Sequence, residues 1–312
     1  MKRLTCQVAT LDGATFKVGS ICGPVAAPST GVKSARMSPQ PYDAAQLLEA
    51  RQTPRPGNAL TVRTVLRHFG LINYALPPER LRRHIPADRF DLQTVEIDGQ
   101  PRAMLSAVPF LDVDFRFARL APWLRWQFGQ TNHRAYVIDR RTGLPGVWFL
   151  GTTLGSPLVH AARALWQIPW HYARYRIDVH VEPASGAYDR YRFDIDSDWC
   201  AARIDLVGDA TPVVGLTPGF STMAEQTLIL THPVDGFFHR LDGGLGGYSI
   251  WHPLMTLTRA QPRELWFSLY ERLGLLSATE MQQPHSVFIC REVPFEVYLP
   301  PRRLGEGSTN PC

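Results

Sequence analysis

Two runs of strict alternation most constrain what this chain can become. Ala173, Tyr175, Ile177, Val179 and Val181 alternate with Arg174, Arg176, Asp178 and His180. A second run sets Tyr191, Phe193 and Ile195 against Arg192 and Asp194. A side-chain period of two is that of a strand with one buried face, since residues two apart on a helix point to opposite sides. Antiparallel strands follow. Leu92 to Ile97 and Arg102 to Val108 flank Asp98-Gly99, a pair suited to a tight hairpin. Asn132 to Ile138 and Gly146 to Leu150 flank a polar turn carrying Gly143 and Pro145.

Helical spacing is rarer. Pro157 to Gln167 places Leu158, Ala161, Ala162 and Leu165 on one face. Pro262 is expected to open a second helix with Leu265, Trp266, Leu269 and Leu273 as its stripe, ending near Gly274. Pro77-Pro78 to His84 reads as a short helix stopped before Pro86. The class predicted is α+β: a highly curved antiparallel sheet or β-barrel with a few flanking helices. No repeat of fixed period occurs.

Residues 1–58 differ in character. They hold Lys2, Lys17 and Lys33, many small residues and weak periodicity, ending in Gln52 to Asn58 with Pro54 and Pro56. We expect a poorly ordered extension there, with Met37 as a candidate true start, and a flexible tail over 304–312. The remainder is rich enough to bury a large core: of 312 residues, 45% are hydrophobic and 20% charged.

Several function classes drop out. The net charge of +5 is small, with Arg and Asp/Glu interleaved, so no basic face for nucleic acid is expected. Cys6, Cys22, Cys200, Cys290 and Cys312 are odd in number and widely spaced, which argues against a disulfide framework or zinc site and for a reducing, cytoplasmic setting. No signal-like apolar run follows Met1, and no stretch is long enough to span a membrane. A Walker A loop, G-x-S-x-G, HExxH and paired HxH are all missing. The glycines at 243, 244, 246 and 247 suit a hairpin turn better than a phosphate cradle, and Gly219-Phe220-Ser221 suits a turn or helix cap. No metal or cofactor is expected.

Three blocks carry a family resemblance: Asn132-His133-Arg134-Ala135-Tyr136-Val137, Pro145-Gly146-Val147-Trp148-Phe149-Leu150, and Ile168-Pro169-Trp170-His171-Tyr172-Ala173-Arg174. Asn73-Tyr74, Leu81-Arg82, Ile85-Pro86 and Trp251-His252-Pro253-Leu254 add to them in the same order. Together they resemble the bacterial domain of unknown function 2071 family, across roughly residues 60–302. That family is similar to the acetoacetate decarboxylase-like superfamily. The resemblance implies one α+β domain over 59–303, an antiparallel β-barrel or cone enclosing a pocket.

In acetoacetate decarboxylase a lysine forms a Schiff base with a keto acid, its amine pKa pulled down from about 10.4 by a neighbouring cation. Here no lysine follows Lys33. Arginine is always charged and is no nucleophile, so it cannot take that part. Codon bias toward Arg would thin out surface lysines without erasing an essential one. Schiff-base decarboxylation is therefore unsupported.

The pocket that the resemblance implies needs other side chains. Period two places Asn132, Arg134 and Tyr136 on one face. That face can grip a carboxylate or carbonyl inside a barrel, or else point to water while His133, Ala135 and Val137 face the core. Tyr172 and Arg174 lie in a family block, but their face continues as Arg176, Asp178 and His180, which suits a solvated strand. His252 is a candidate general acid or base, or a structural histidine bonded to a carbonyl. Glu225 either pairs with one of the arginines or caps a helix. Trp123 and Trp126, between strand regions, are candidates for an apolar lid.

The expectation is a cytosolic protein holding an organic acid or carbonyl compound, with a homo-oligomer as one possible assembly. In an enzyme, Arg134 fixes the anion while His252 or Tyr136 moves a proton. The alternatives are a non-catalytic ligand-binding or sensor module, and an interaction protein with a vestigial pocket.

Overall fold

The protein, here a computed structural model, is described over residues 42–305. The chain enters through α1 (Ala44–Ala50), whose N-terminus is capped by the Asp43 carboxylate accepting from the Ala45 and Gln46 amides. β1 (Val62–Leu76), α2 (Pro78–Arg82), β2 (Phe90–Leu92), β3 (Thr94–Ile97) and β4 (Gln100–Phe117) follow. Then come β5 (Trp126–Asp139), β6 (Pro145–Leu154), α3 (Leu158–Trp166) and β7 (Trp170–Tyr172). β8 (Arg174–Val181), β9 (Tyr188–Asp196) and β10 (Ala202–Pro212) form a meander, followed by α4 (Met223–Leu230). β11 (Asp235–His239), β12 (Leu245–Trp251), β13 (Leu257–Phe267), α5 (Ser268–Arg272), α6 (Ala278–Met281) and β14 (Ser286–Leu304) complete it.

All fourteen strands join one sheet. β1 pairs with β4, and the path continues through β5, β6, β11, β12 and β14. β14 then pairs with β1 over Val62 to Asn73, so these strands close into a ring. From β14 the sheet also runs outward through β13, β10, β9 and β8. Most pairings are antiparallel, as the alternation requires. β6 departs from that, pairing in parallel with β11 and β7. The chain between β6 and β11 carries α3, the β8–β10 meander and α4, long enough for a parallel crossover.

Ring strands are apolar on both faces. Ala135 and Val137 of β5 and Leu105 of β4 pack outward, with Tyr191, Phe193, Leu206, Leu265 and Phe267 of the outer arm. Tyr136, Val108, Phe110, Phe149 and Tyr248 belong to a second cluster with Ile229 and Leu230 of α4. Period two thus feeds two cores from one strand.

The Asp98-Gly99 hairpin is present between β3 and β4, with φ of 51° and 72° at its two residues, the mirror-turn geometry that fits strand twist. The glycine-rich segment does turn β11 into β12, and Thr222 caps α4 by accepting from the Glu225 amide. Three expectations need correction. The helix from Pro262 is mostly strand: Leu265 and Phe267 pair with Ile204 and Ala202 of β10 and are both fully buried, and helix begins at Ser268. Residues 1–41 lie outside the described residues, but 42–58 are not loose. Arg51 is buried, donating to the His232 carbonyl at 2.6 Å and the Pro145 carbonyl at 2.9 Å. Leu304, expected to begin a flexible tail, instead pairs with Leu245 as the end of β14, and 306–312 lie outside the described residues. Among the described residues no helix is long and apolar enough to cross a membrane.

Trp148 of β6 is 1% exposed, its ring 5.5 Å from Phe90 and 4.8 Å from His239. Trp148→Ala is expected to cost about 3–5 kcal/mol, read as a lowered urea midpoint at unchanged slope. A loss below about 1 kcal/mol would show that the ring does not depend on this layer.

Candidate functional site

The ring encloses a cavity with about 70 Å³ open to the centres of water-sized molecules, where one water needs ~10–15 Å³. Alternate residues of each ring strand line it. β1 gives Val62, Thr64 and Leu66; β4 gives Phe110 and Asp112; β5 gives Gln130, Asn132 and Arg134. β6 gives Val147 and Phe149, β12 gives Tyr248 and Ile250, and β14 gives Phe295, Val297 and Leu299. The wall is largely apolar and aromatic, with a few polar groups set into it.

Arg134 dominates those groups. It is 8% exposed, and its Nη2 donates to the Leu230 carbonyl at 2.8 Å. Its Nε is buried without a hydrogen-bond partner. Among the described residues no carboxylate forms an ion pair with it. Leu230 ends α4, where helix carbonyls have no intrahelical donor and carry partial negative charge.

Tyr136 lies on the same strand face but does not line the cavity. Its hydroxyl is 2.8 Å from Ser106 Oγ and 3.3 Å from the Leu230 carbonyl, with Arg134 Nη2 at 3.4 Å. Ser106 donates in turn to Asn73 Oδ1 at 2.5 Å, and Asn73 Nδ2 donates to Ser286 at 3.0 Å. The guanidinium carbon sits 5.4 Å from the centre of the Tyr136 ring. Tyr136 therefore braces Arg134 rather than facing a ligand.

Asn132 lines the cavity, its Oδ1 accepting from Thr152 at 2.9 Å and from Gln130 Nε2 at 3.0 Å. His252 lines it too, but both ring nitrogens face carbonyls: Nδ1 that of Pro253 at 2.8 Å, Nε2 that of Thr231 at 2.9 Å. Its ring stacks on Phe295 at 5.1 Å and lies 4.4 Å from His232. Burial drives its pKa down to about 4, the two carbonyls pulling the other way and Arg134 adding to the fall. This is the geometry of a structural histidine, with no nitrogen left to carry a proton to a ligand.

Three expectations for the pocket fail on position. Tyr172 is 49% exposed on the outside of the molecule, stacked on His160. Arg174 begins β8 and pairs with Asp196 at 3.3 Å in solvent. The chain leaves the ring after Tyr172 to join β9, which carries both side chains outward. Glu225 is buried but away from the cavity. Its Oε2 accepts from the Ser221 amide at 2.8 Å, so it serves the start of α4, the helix-capping alternative. Trp123 is 77% exposed, and Trp126 packs edge-on against Phe115 and Phe117.

Asp112 went unnoticed in the sequence. It is 2% exposed and lines the cavity, with Oδ1 accepting from the Thr64 hydroxyl at 3.0 Å and Oδ2 buried without a partner. Burial pushes its carboxyl up to about 7, the Thr64 bond opposing. The available signal was parity: Asp112 shares the face of Val108 and Phe110, where a strand turning one face to solvent would not put Phe.

The fold is that of the acetoacetate decarboxylase-like proteins. It is similar to an acetoacetate decarboxylase-like enzyme from Sphingomonas wittichii RW1, with a TM-score of 0.51 and 10% identity, covering 80% of this chain and 94% of that one. It is likewise similar to the enduracididine biosynthesis enzyme MppR complexed with pyruvate, with a TM-score of 0.50 and 13% identity, covering 81% and 92%. Residues 63–294 match the DUF2071 model, described as an uncharacterized conserved protein, and the chain belongs to that family. No curated protein matches it.

The buried histidines set an acid limit. Burial holds His133 and His232 at about 3 and His252 at about 4 in the folded state, against about 6.5 when unfolded. Below pH ~6.5 the unfolded chain takes up protons that the native one refuses, so stability falls as pH drops toward ~4. Asp112 works oppositely over the same range, holding its native proton up to about 7. His171, also drawn down to about 4, joins these three, so the histidines outweigh Asp112 and leave a net loss, about 1.4 kcal/mol per pH unit for each net proton. Urea midpoints from pH 7 down to 4 read it directly; a flat profile contradicts these burial assignments.

Proposed function

We propose that the ring is a β-barrel whose cavity binds a small organic acid or carbonyl compound, held through Arg134. The observation that carries this is a buried guanidinium on an aromatic-walled cavity, with an unpartnered Nε and no carboxylate paired to it. A buried cation is costly unless matched, and a planar fork of donors suits a carboxylate. Asn132 stands two residues away on the same face, with its Nδ2 free to add a donor. That a protein of like fold is described in complex with pyruvate is consistent with this reading.

No lysine occurs among residues 42–305, so the reading is one of binding without a Schiff base. The second reading, a non-catalytic binding or sensor module, is favoured by His252, whose two ring nitrogens are both engaged by carbonyls. Cys200 and Cys290 are both free thiols, in keeping with a cytosolic setting.

A thermal-shift screen with carboxylic and keto acids is expected to give a stabilising hit, because binding to the native state raises apparent stability by mass action. Arg134→Ala should abolish that shift; an unchanged shift would remove Arg134 from the site. Borohydride with the same compounds is expected to trap no covalent adduct, and a stable adduct within residues 42–305 would overturn the Schiff-base-free reading. Turnover of the hit separates an enzyme from a sensor.

A further inference from the structure

The cavity has a second polar pole that a simple acid would leave unused. In the β4–β5 ladder Arg134 stands opposite Ser106, and Asp112 opposite Phe128. Their backbone positions are thus six residues apart along β4, about 20 Å of strand. Arg134 and Asn132 Nδ2 make one end a cluster of donors. At the other, Asp112 Oδ2 has no partner; Gln130, bonded through Nε2 to Asn132 and opposite Phe110, stands between the two and leaves its Oε1 to accept. Phe110 and Phe115 line the cavity along with Asp112, and aromatic rings attract cations.

Resting on the organic-acid reading, we infer that the cavity takes an elongated zwitterion, with its carboxylate at Arg134 and a protonated amine at Asp112. A monofunctional acid satisfies the donor end and leaves Asp112 Oδ2 orphaned. An ammonium supplies what that end lacks, a charge and several N–H donors for two acceptors. Thr64 fixes the carboxyl through Oδ1, so Oδ2 is the atom left without a partner. Burial keeps this carboxyl protonated to about pH 7; an opposite charge beside it favours the ionised form. Binding therefore releases the Asp112 proton to solvent.

Calorimetric titration of the wild-type protein, Asp112→Asn and Arg134→Ala with three homologous series tests this: linear ω-amino acids, ω-hydroxy acids and unsubstituted carboxylic acids. At the best-fitting length, wild type is expected to bind the amino acid about tenfold or more tighter than the unsubstituted acid. Asp112→Asn should erase that preference, so that it binds the amino acid no tighter than the unsubstituted acid. Equal affinity for amino and methyl ends in wild type, an equal gain from the hydroxyl, or a preference surviving in Asp112→Asn would each overturn the inference. In those cases, loss of acid binding in Arg134→Ala leaves the organic-acid reading standing. No binding by any carboxylate removes both. Difference infrared spectra of the wild type guard against a misfolded variant: the protonated-carboxyl band should vanish on adding the ω-amino acid and persist with the unsubstituted acid. Persistence with both would again overturn the inference.

Discussion

The C-terminal end of α4 is the joint on which the cavity depends. Three successive carbonyls there each meet a side chain from a different part of the chain. Leu230 accepts from Arg134 of β5, Thr231 faces His252 beyond β12, and His232 accepts from Arg51 beyond α1. Helix ends leave such carbonyls without backbone donors, and their partial charges suit a cation. A guanidinium buried in an apolar ring has few other ways to be tolerated. The joint therefore places Arg134 and ties α1 and the loop after β12 to the same point.

Position along the ring is fixed by parity. Because β5 buries both faces, a slip of one residue would turn His133 and Ala135 into the cavity and push Arg134 into the outer core. Tyr270 and Phe267 close on His133 from that outer core, with ring centres 5.3 and 5.8 Å away. The outer arm of β8, β9, β10 and β13 does more than cover the ring, since it makes the wrong register costly on both sides. The cross-strand chain from Ser286 through Asn73 and Ser106 to Tyr136 adds polar pairing that only one register satisfies.

Strands and turns were legible in the sequence because the period of two and the Asp98-Gly99 hairpin are local signals. The face shared by Asn132, Arg134 and Tyr136 was legible for the same reason, although its inward direction was not. Which face looks inward depends on ring closure between β1 and β14, more than two hundred residues apart. Pro262 to Gly274 misled because Leu265, Leu269 and Leu273 fit helical spacing, while Leu265 and Phe267 fit a strand, and only packing against β10 decides. Tyr172 and Arg174 misled because a block of family-like residues spans the point where the chain leaves the ring. Asp112 was missed because Asp112 and Asp114, two apart near the end of β4, read as a solvent-facing polar stretch until both neighbouring strands are known.

Distance then explains why the cavity's two charges do not cancel each other. Their strand positions lie six residues apart along β4, and the Asp112 carboxyl feels no charge that offsets its desolvation. The fold thus keeps a permanent cation and a neutralised acid in one cavity, each still short of a partner. In a lysine-containing site, the cation could itself lose a proton and become a nucleophile. A guanidinium cannot, and among the described residues that line the cavity the group with a pKa near neutral is Asp112, its Oδ2 buried without a partner.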